Sequence, residues 1–130
     1  MRSVLAVIAL ALFSAVAHAE EWTQVGPTDT RLSAEYSKAS LQSISPTVKR
    51  VKTRIVSKVD DVHVFTVVTE TEFYCPQPLE KLLSAKLISA AGEVTSEEKV
   101  DSPVFYEMPR GTNSFRLWEA ICSAAGTTAK

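Results

Sequence analysis

Two cysteines, four glycines and two histidines are all that 130 residues supply of these types, and each shortage removes a class of chemistry. The glycines form no loop that could cradle a phosphate, and Gly111 reads as a turn residue. His18 lies in the N-terminal leader, which leaves His63 close to Asp60 and Asp61. One imidazole and two turn carboxylates do not make a zinc pattern, and their spacing is not that of a calcium-binding loop. Charge of either sign is not in excess, with 14 Lys plus Arg against 15 Asp plus Glu. The basic footprint of a nucleic-acid-binding protein is therefore missing. Glu70, Glu72, Glu97 and Glu98 read as solvated surface, since no apolar setting singles out a pair for acid–base work. Neither catalysis nor a cofactor is expected.

What the chain does have begins with an export signal. Arg2 precedes an apolar run over residues 4–16, and Ala17, His18 and Ala19 form a small-residue cleavage site before Glu20. The run is short for a bilayer-spanning helix. The expectation is a leader removed as residues 1–19 and a single mature domain over residues 20–130, periplasmic or secreted, with no stable membrane insertion. No cysteine sits just after the cleavage site, so a lipoprotein anchor is not expected.

Cys75 and Cys122 would meet an oxidising compartment after export, and they are expected to pair with each other. Neither belongs to a C-x-x-C motif or has a catalytic constellation near it in sequence. Closing a loop of about 47 residues contributes on the order of 4 kcal/mol in the chain-entropy account. In a domain of ordinary stability, about 5 to 15 kcal/mol, that contribution is large.

Hydrophobic alternation predicts most of the secondary structure. Residues 22–25 read as a short strand closed by Gly26 and Pro27, and Leu32, Ala34 and Tyr36 have strand period before a mixed segment over residues 37–44. Residues 48–59 are the clearest strand, with Val51, Thr53 and Ile55 on one face and Arg50, Lys52 and Arg54 on the other. The next strand, residues 63–74, would bury Phe65, Val67, Thr69, Thr71 and Phe73 and turn Glu70 and Glu72 to solvent. A three-residue loop at Asp60, Asp61 and Val62 places Lys52 opposite Glu70 and Arg50 opposite Glu72, so charge and hydrophobic pattern select one register. Beyond Pro76 and Pro78, residues 79–83 read as a helical turn, with strands over residues 85–89, 93–100 and 104–108. Thr112 or Asn113 can cap a final helix over residues 114–123, whose apolar stripe holds Phe115, Leu117, Trp118, Ile121 and Cys122. The predicted class is α+β: an antiparallel sheet of about five or six strands with the C-terminal helix packed on it and stapled by the disulfide.

The order of Trp22, Tyr36, Phe73 and Tyr74 before Cys75, a polar hairpin through Gly92, then Pro109, Gly111 and Leu117 leading to Cys122 resembles the surface-adhesin protein E-like family of Gram-negative bacteria. The resemblance covers residues 22–122. It implies an antiparallel sheet with a C-terminal helix, a Cys75–Cys122 bridge and a homodimer. The founding adhesin is a surface lipoprotein that engages host matrix and plasma proteins, whereas this chain lacks the lipidation cysteine.

Aromatic side chains that carry a polar group are common at interfaces. Tyr36 and Tyr106, with Trp22 behind them, are the candidate contact residues for a protein partner of unknown identity. The expected function is therefore an exported protein-binding or interaction domain without catalysis. The alternative is a periplasmic small-ligand-binding or envelope-stress accessory protein, which requires a concave site beside the sheet.

Overall fold

The computed structural model describes residues 21–26 and 31–123. The expected leader over residues 1–19 lies outside the described residues. The strands are β1 (Trp22–Val25), β2 (Leu32–Ser37), β3 (Gln42–Ser43), β4 (Val48–Val59), β5 (Val62–Tyr74), β6 (Leu79–Ser89), β7 (Val94–Lys99) and β8 (Tyr106–Glu107), followed by helix α1 (Asn113–Ser123). All eight join one antiparallel sheet in the order β1-β2-β4-β5-β6-β7, with β3 also on β4 and β8 also on β6.

The expected five or six strands are thus corrected to eight among the described residues. The difference lies in two lanes that are each shared by two strands. β2 and β3 lie along β4 in succession, separated by a 3₁₀ turn at Lys38–Ser40, and β7 and β8 lie along β6 in the same way. The first interruption is held by side-chain bonds: Ser40 Oγ donates to the Ser37 carbonyl at 2.8 Å and accepts from the Lys52 amide at 2.8 Å.

β4 and β5 form the central hairpin in the register that the charges select, with Lys52 opposite Glu70 and Arg50 opposite Glu72. Its tip differs from the expected three-residue loop. Asp60 and Asp61 alone make the turn, with φ of 50° and 63°, the left-handed pair that a two-residue type I′ turn needs and that Asp tolerates. Val59 therefore faces Val62, and a bulge past Lys58 and His63 leaves Val64 unpaired, which restores the predicted register from Ser57 and Phe65 inward.

Residues 79–83 are strand, which corrects the expected helical turn. Pro76 and Pro78 sit in the tight connection, where a missing N–H costs no ladder bond, and Leu79 already pairs with Tyr74. β5 has two long neighbours to satisfy its backbone, and that requirement overrides the weak local helix signal.

α1 starts as expected. Thr112 Oγ1 accepts from the Phe115 amide at 3.2 Å, an N-cap bond. Leu117 and Ile121 are the helix residues buried against the sheet, while Phe115 and Trp118 are half-buried beside them. Trp118 Nε1 donates to the Tyr74 carbonyl at 2.8 Å, so the ring caps the end of β5. The core consists of Ala34, Tyr36, Val51, Phe73, Met108, Leu117 and Ile121. Cys75 and Cys122 are bonded, with Cα atoms 5.4 Å apart, and this ties the last turn of α1 to the end of β5. Lys49 reinforces the same end: its Nζ donates to the Ile121 carbonyl at 3.3 Å, one of the carbonyls left open where a helix ends, and burial lowers its pKa.

Candidate binding surface

Lengths decide which part of the sheet is covered. Eleven helical residues span about 16 Å, whereas a strand of twelve or thirteen residues extends about 40 Å. Helix α1 therefore covers the half of the sheet near Cys75 and leaves the half toward the hairpin tip open. Register shows what lies there on the helix side. One row across the sheet is Ala34, Ile55, Val67 and Leu87; the next is Leu32, Ser57, Phe65 and Ser89. Ala34 is the last fully covered member of the first row. Ile55 and Val67 are half-buried, and Leu32, Phe65 and Leu87 are 39%, 37% and 36% exposed. These side chains from four adjacent strands form one apolar strip, which Ile55 joins to the core beside Leu117; beyond Ile55 no helix lies above it among the described residues.

The sheet margins offer less. β1 has only four residues, and β7, reading VTSEEK, is fully exposed and carries Glu97, Glu98 and Lys99. Short or charged edge strands resist pairing with another chain. Contact through a face is favoured over strand addition.

The three residues proposed from sequence are dispersed. Tyr36 is 3% exposed and belongs to the core under the helix, which removes it as a contact residue. Its place in β2 alternates with that of Glu35, and the register sets it on Thr53, inside the covered half. Tyr106 is 46% exposed on β8, but its hydroxyl bonds to the Glu80 carboxylate. Partial burial together with the Glu80 charge and hydrogen bond pushes the Tyr106 pKa up to about 12. Glu80 is itself raised by burial, against the lowering effect of its bonds to Tyr106 and Ser114, and so it braces β8 and the first turn of α1. Trp22 lies half-buried on the opposite face, its ring stacked on the Arg54 guanidinium 4.5 Å away.

That opposite face is built from charge rows. Arg50, Glu72 and Lys81 stand side by side on β4, β5 and β6. Glu72 accepts from Arg50 Nη2 at 2.8 Å and Nε at 3.0 Å and from Lys81 Nζ at 2.9 Å. Glu72 is only 4% exposed, which corrects the expectation that it faces solvent; Glu70, two residues away, is exposed. Burial alone raises the Glu72 carboxyl, but the hydrogen bonds and charges of Lys81 and Arg50 outweigh it and hold the pKa below the ordinary value. His63 bonds through Nε2 to Thr66 Oγ1 at 2.8 Å, at the end of the hairpin. Among the described residues no group of three or more His, Cys, Asp or Glu is arranged to hold a metal ion, and no helix is long and apolar enough to cross a membrane.

Sequence reasoning named Phe65 and Val67 correctly as one face of β5 but took the whole face as buried. The signal that corrects it is the length of the predicted helix beside that of the predicted strands. Comparison with known protein families, with curated proteins and with solved structures finds no match to this chain.

Proposed function

We propose that this is an exported, non-catalytic protein-binding domain that engages its partner through the apolar strip of Leu32, Phe65, Val67 and Leu87, with Ile55 at its inner edge. The observation that carries the reading is the mismatch between helix and sheet lengths, which leaves side chains of core type facing water. Contiguous exposed apolar surface of this kind marks protein interfaces. The occupant is a protein surface with an apolar centre, and a second copy of the chain is the first candidate. Membership of the surface-adhesin protein E-like family belongs to the same proposal. An antiparallel sheet, a terminal helix and a Cys75–Cys122 bridge support it. The disulfide also supports export, since such bonds persist in oxidising compartments.

Sedimentation of the mature chain, together with partner recovery from a native envelope extract, tests the reading when wild type is compared with a Phe65→Ser, Leu87→Ser double variant. The expected result is that self-association or recovery of a defined partner weakens by roughly tenfold or more in the variant, equivalent to about 1.4 kcal/mol or more, while folding is retained. Equal association by both proteins would overturn the assignment of this strip.

A further inference from the structure

The face turned away from α1 holds a trough of about 570 Å3, within the size range of small-ligand sites. Its floor and walls come from four strands that register places side by side. Arg54, Val68 and Lys86 form one row, ending at Glu97 on β7; Thr66 and Ile88 lie in the next row outward, and Lys52, Glu70, Ser84 and Lys99 in the next row inward. Trp22 closes one side. The lining is therefore apolar along its middle, at Val68 and Ile88, with cations on either flank.

The charge balance defines the ligand further. Lys52, Arg54, Lys86 and Lys99 line the trough against Glu70 and Glu97, and Glu35 pairs with Arg54 from the adjacent strand β2. Four cations thus meet three carboxylates, an excess of one positive charge. Arg54 is set in place before any ligand arrives, stacked on Trp22 and bonded to Glu35, which reduces the ordering cost of binding. Lys86 is held only loosely: its ammonium is 3.8 Å from Glu97 and both side chains are well exposed, 42% and 62%. An exposed pair at that distance contributes little to stability, and its cation can turn to a ligand.

We propose that this trough is a binding site for an amphipathic monoanion, a carboxylate at the head of an unbranched apolar chain. The chain lies along Val68, Ile88 and the Trp22 ring, and the head group takes the uncompensated positive charge at Lys99, with Lys86 turning to it from Glu97. The site is on the opposite face from the apolar strip, so the two assignments stand or fall separately.

Calorimetric titration of the mature, disulfide-bonded protein with dodecanoate and with dodecylammonium, both below their micelle concentrations, tests the proposal because the two ligands share a chain and differ in charge. Saturable binding of one dodecanoate per chain is expected, with dodecylammonium weaker by about tenfold or more. Lys99→Glu, a change on an exposed edge strand, should weaken dodecanoate by about tenfold and leave the fold intact. Trp22→Ala should also weaken it, whereas Phe65→Ser on the other face should not. No saturable binding, equal binding of both ligands, or loss of binding in Phe65→Ser with retention in Lys99→Glu would each overturn the proposal.

Discussion

Glu72 is an acid almost without access to water, held by a cation on each neighbouring strand. Because its folded pKa lies below the ordinary value of 4.5, its stabilising effect is complete above that pH and is lost as pH falls through the folded value. Glu72→Gln should lower stability at pH 7 by about 1 to 3 kcal/mol, since Arg50 and Lys81 then crowd each other without a counter-charge. Urea unfolding at pH 7 and at pH 3 checks this: the gap between variant and wild type should narrow at the lower pH. Ser37 presents the opposite case. It is fully buried, and its hydroxyl has no hydrogen-bond partner among the described residues. Ser37→Ala removes an unsatisfied polar group at little cost in packing, and should be neutral or stabilising by up to about 1 kcal/mol in the same assay. The burial of Tyr36 and Glu72 was not legible in the sequence for one reason. Alternation tells which face a residue joins, but coverage of that face depends on what packs there from far along the chain.

At the scale of elements, the central hairpin was the most legible part. Lys52 with Glu70 and Arg50 with Glu72 agree with the hydrophobic alternation, and any slip by one residue breaks both patterns at once. The turn was misjudged by one residue and compensated by the bulge at Val64, because a tight left-handed turn and a bulge together occupy the same length of chain as the looser loop. Helix α1 was legible from its change of period, though its buried line runs through Leu117 and Ile121 and not through the aromatic residues. An isolated helix of eleven residues does not persist in water, so its retention depends on docking and on the bridge. Replacing both Cys75 and Cys122 by serine should cost up to about 4 kcal/mol. Hydrogen exchange should show faster opening at the amides of Leu117 and Ile121, with the β4–β5 amides much less affected. Unchanged protection in α1 would mean that Lys49, Trp118 and the apolar contacts hold the helix unaided.

For the whole molecule, the two faces of the sheet should respond differently to solvent conditions. Association through the strip of Leu32, Phe65 and Leu87 buries apolar area, so its heat-capacity change should be negative and added salt should not weaken it. Binding in the trough depends on exposed cations and should weaken as ionic strength rises from 0.05 M to about 0.5 M, as the screening length shortens. Titrating each interaction at two salt concentrations separates them. The strip was half legible: its residues and their shared face follow from alternation, but the absence of cover follows only from comparing lengths. The trough was not legible at all, because it brings Trp22 from the first strand to Lys99 on the seventh through pairings that local sequence does not encode.

The Cys75–Cys122 bridge also sets an order of events. Strands β1 to β5 all precede Cys75, and the second thiol follows 47 positions later. A chain delivered N-terminus first therefore presents its longest hairpin before an intramolecular partner for Cys75 exists. Meanwhile that sulfur is open to small-molecule thiols, and the bond to Cys122 can form only once the final helix has been delivered. The covalent link is a latch that closes only after every strand of the sheet has been delivered, and a chain stalled short of residue 122 is marked by a single unpaired thiol.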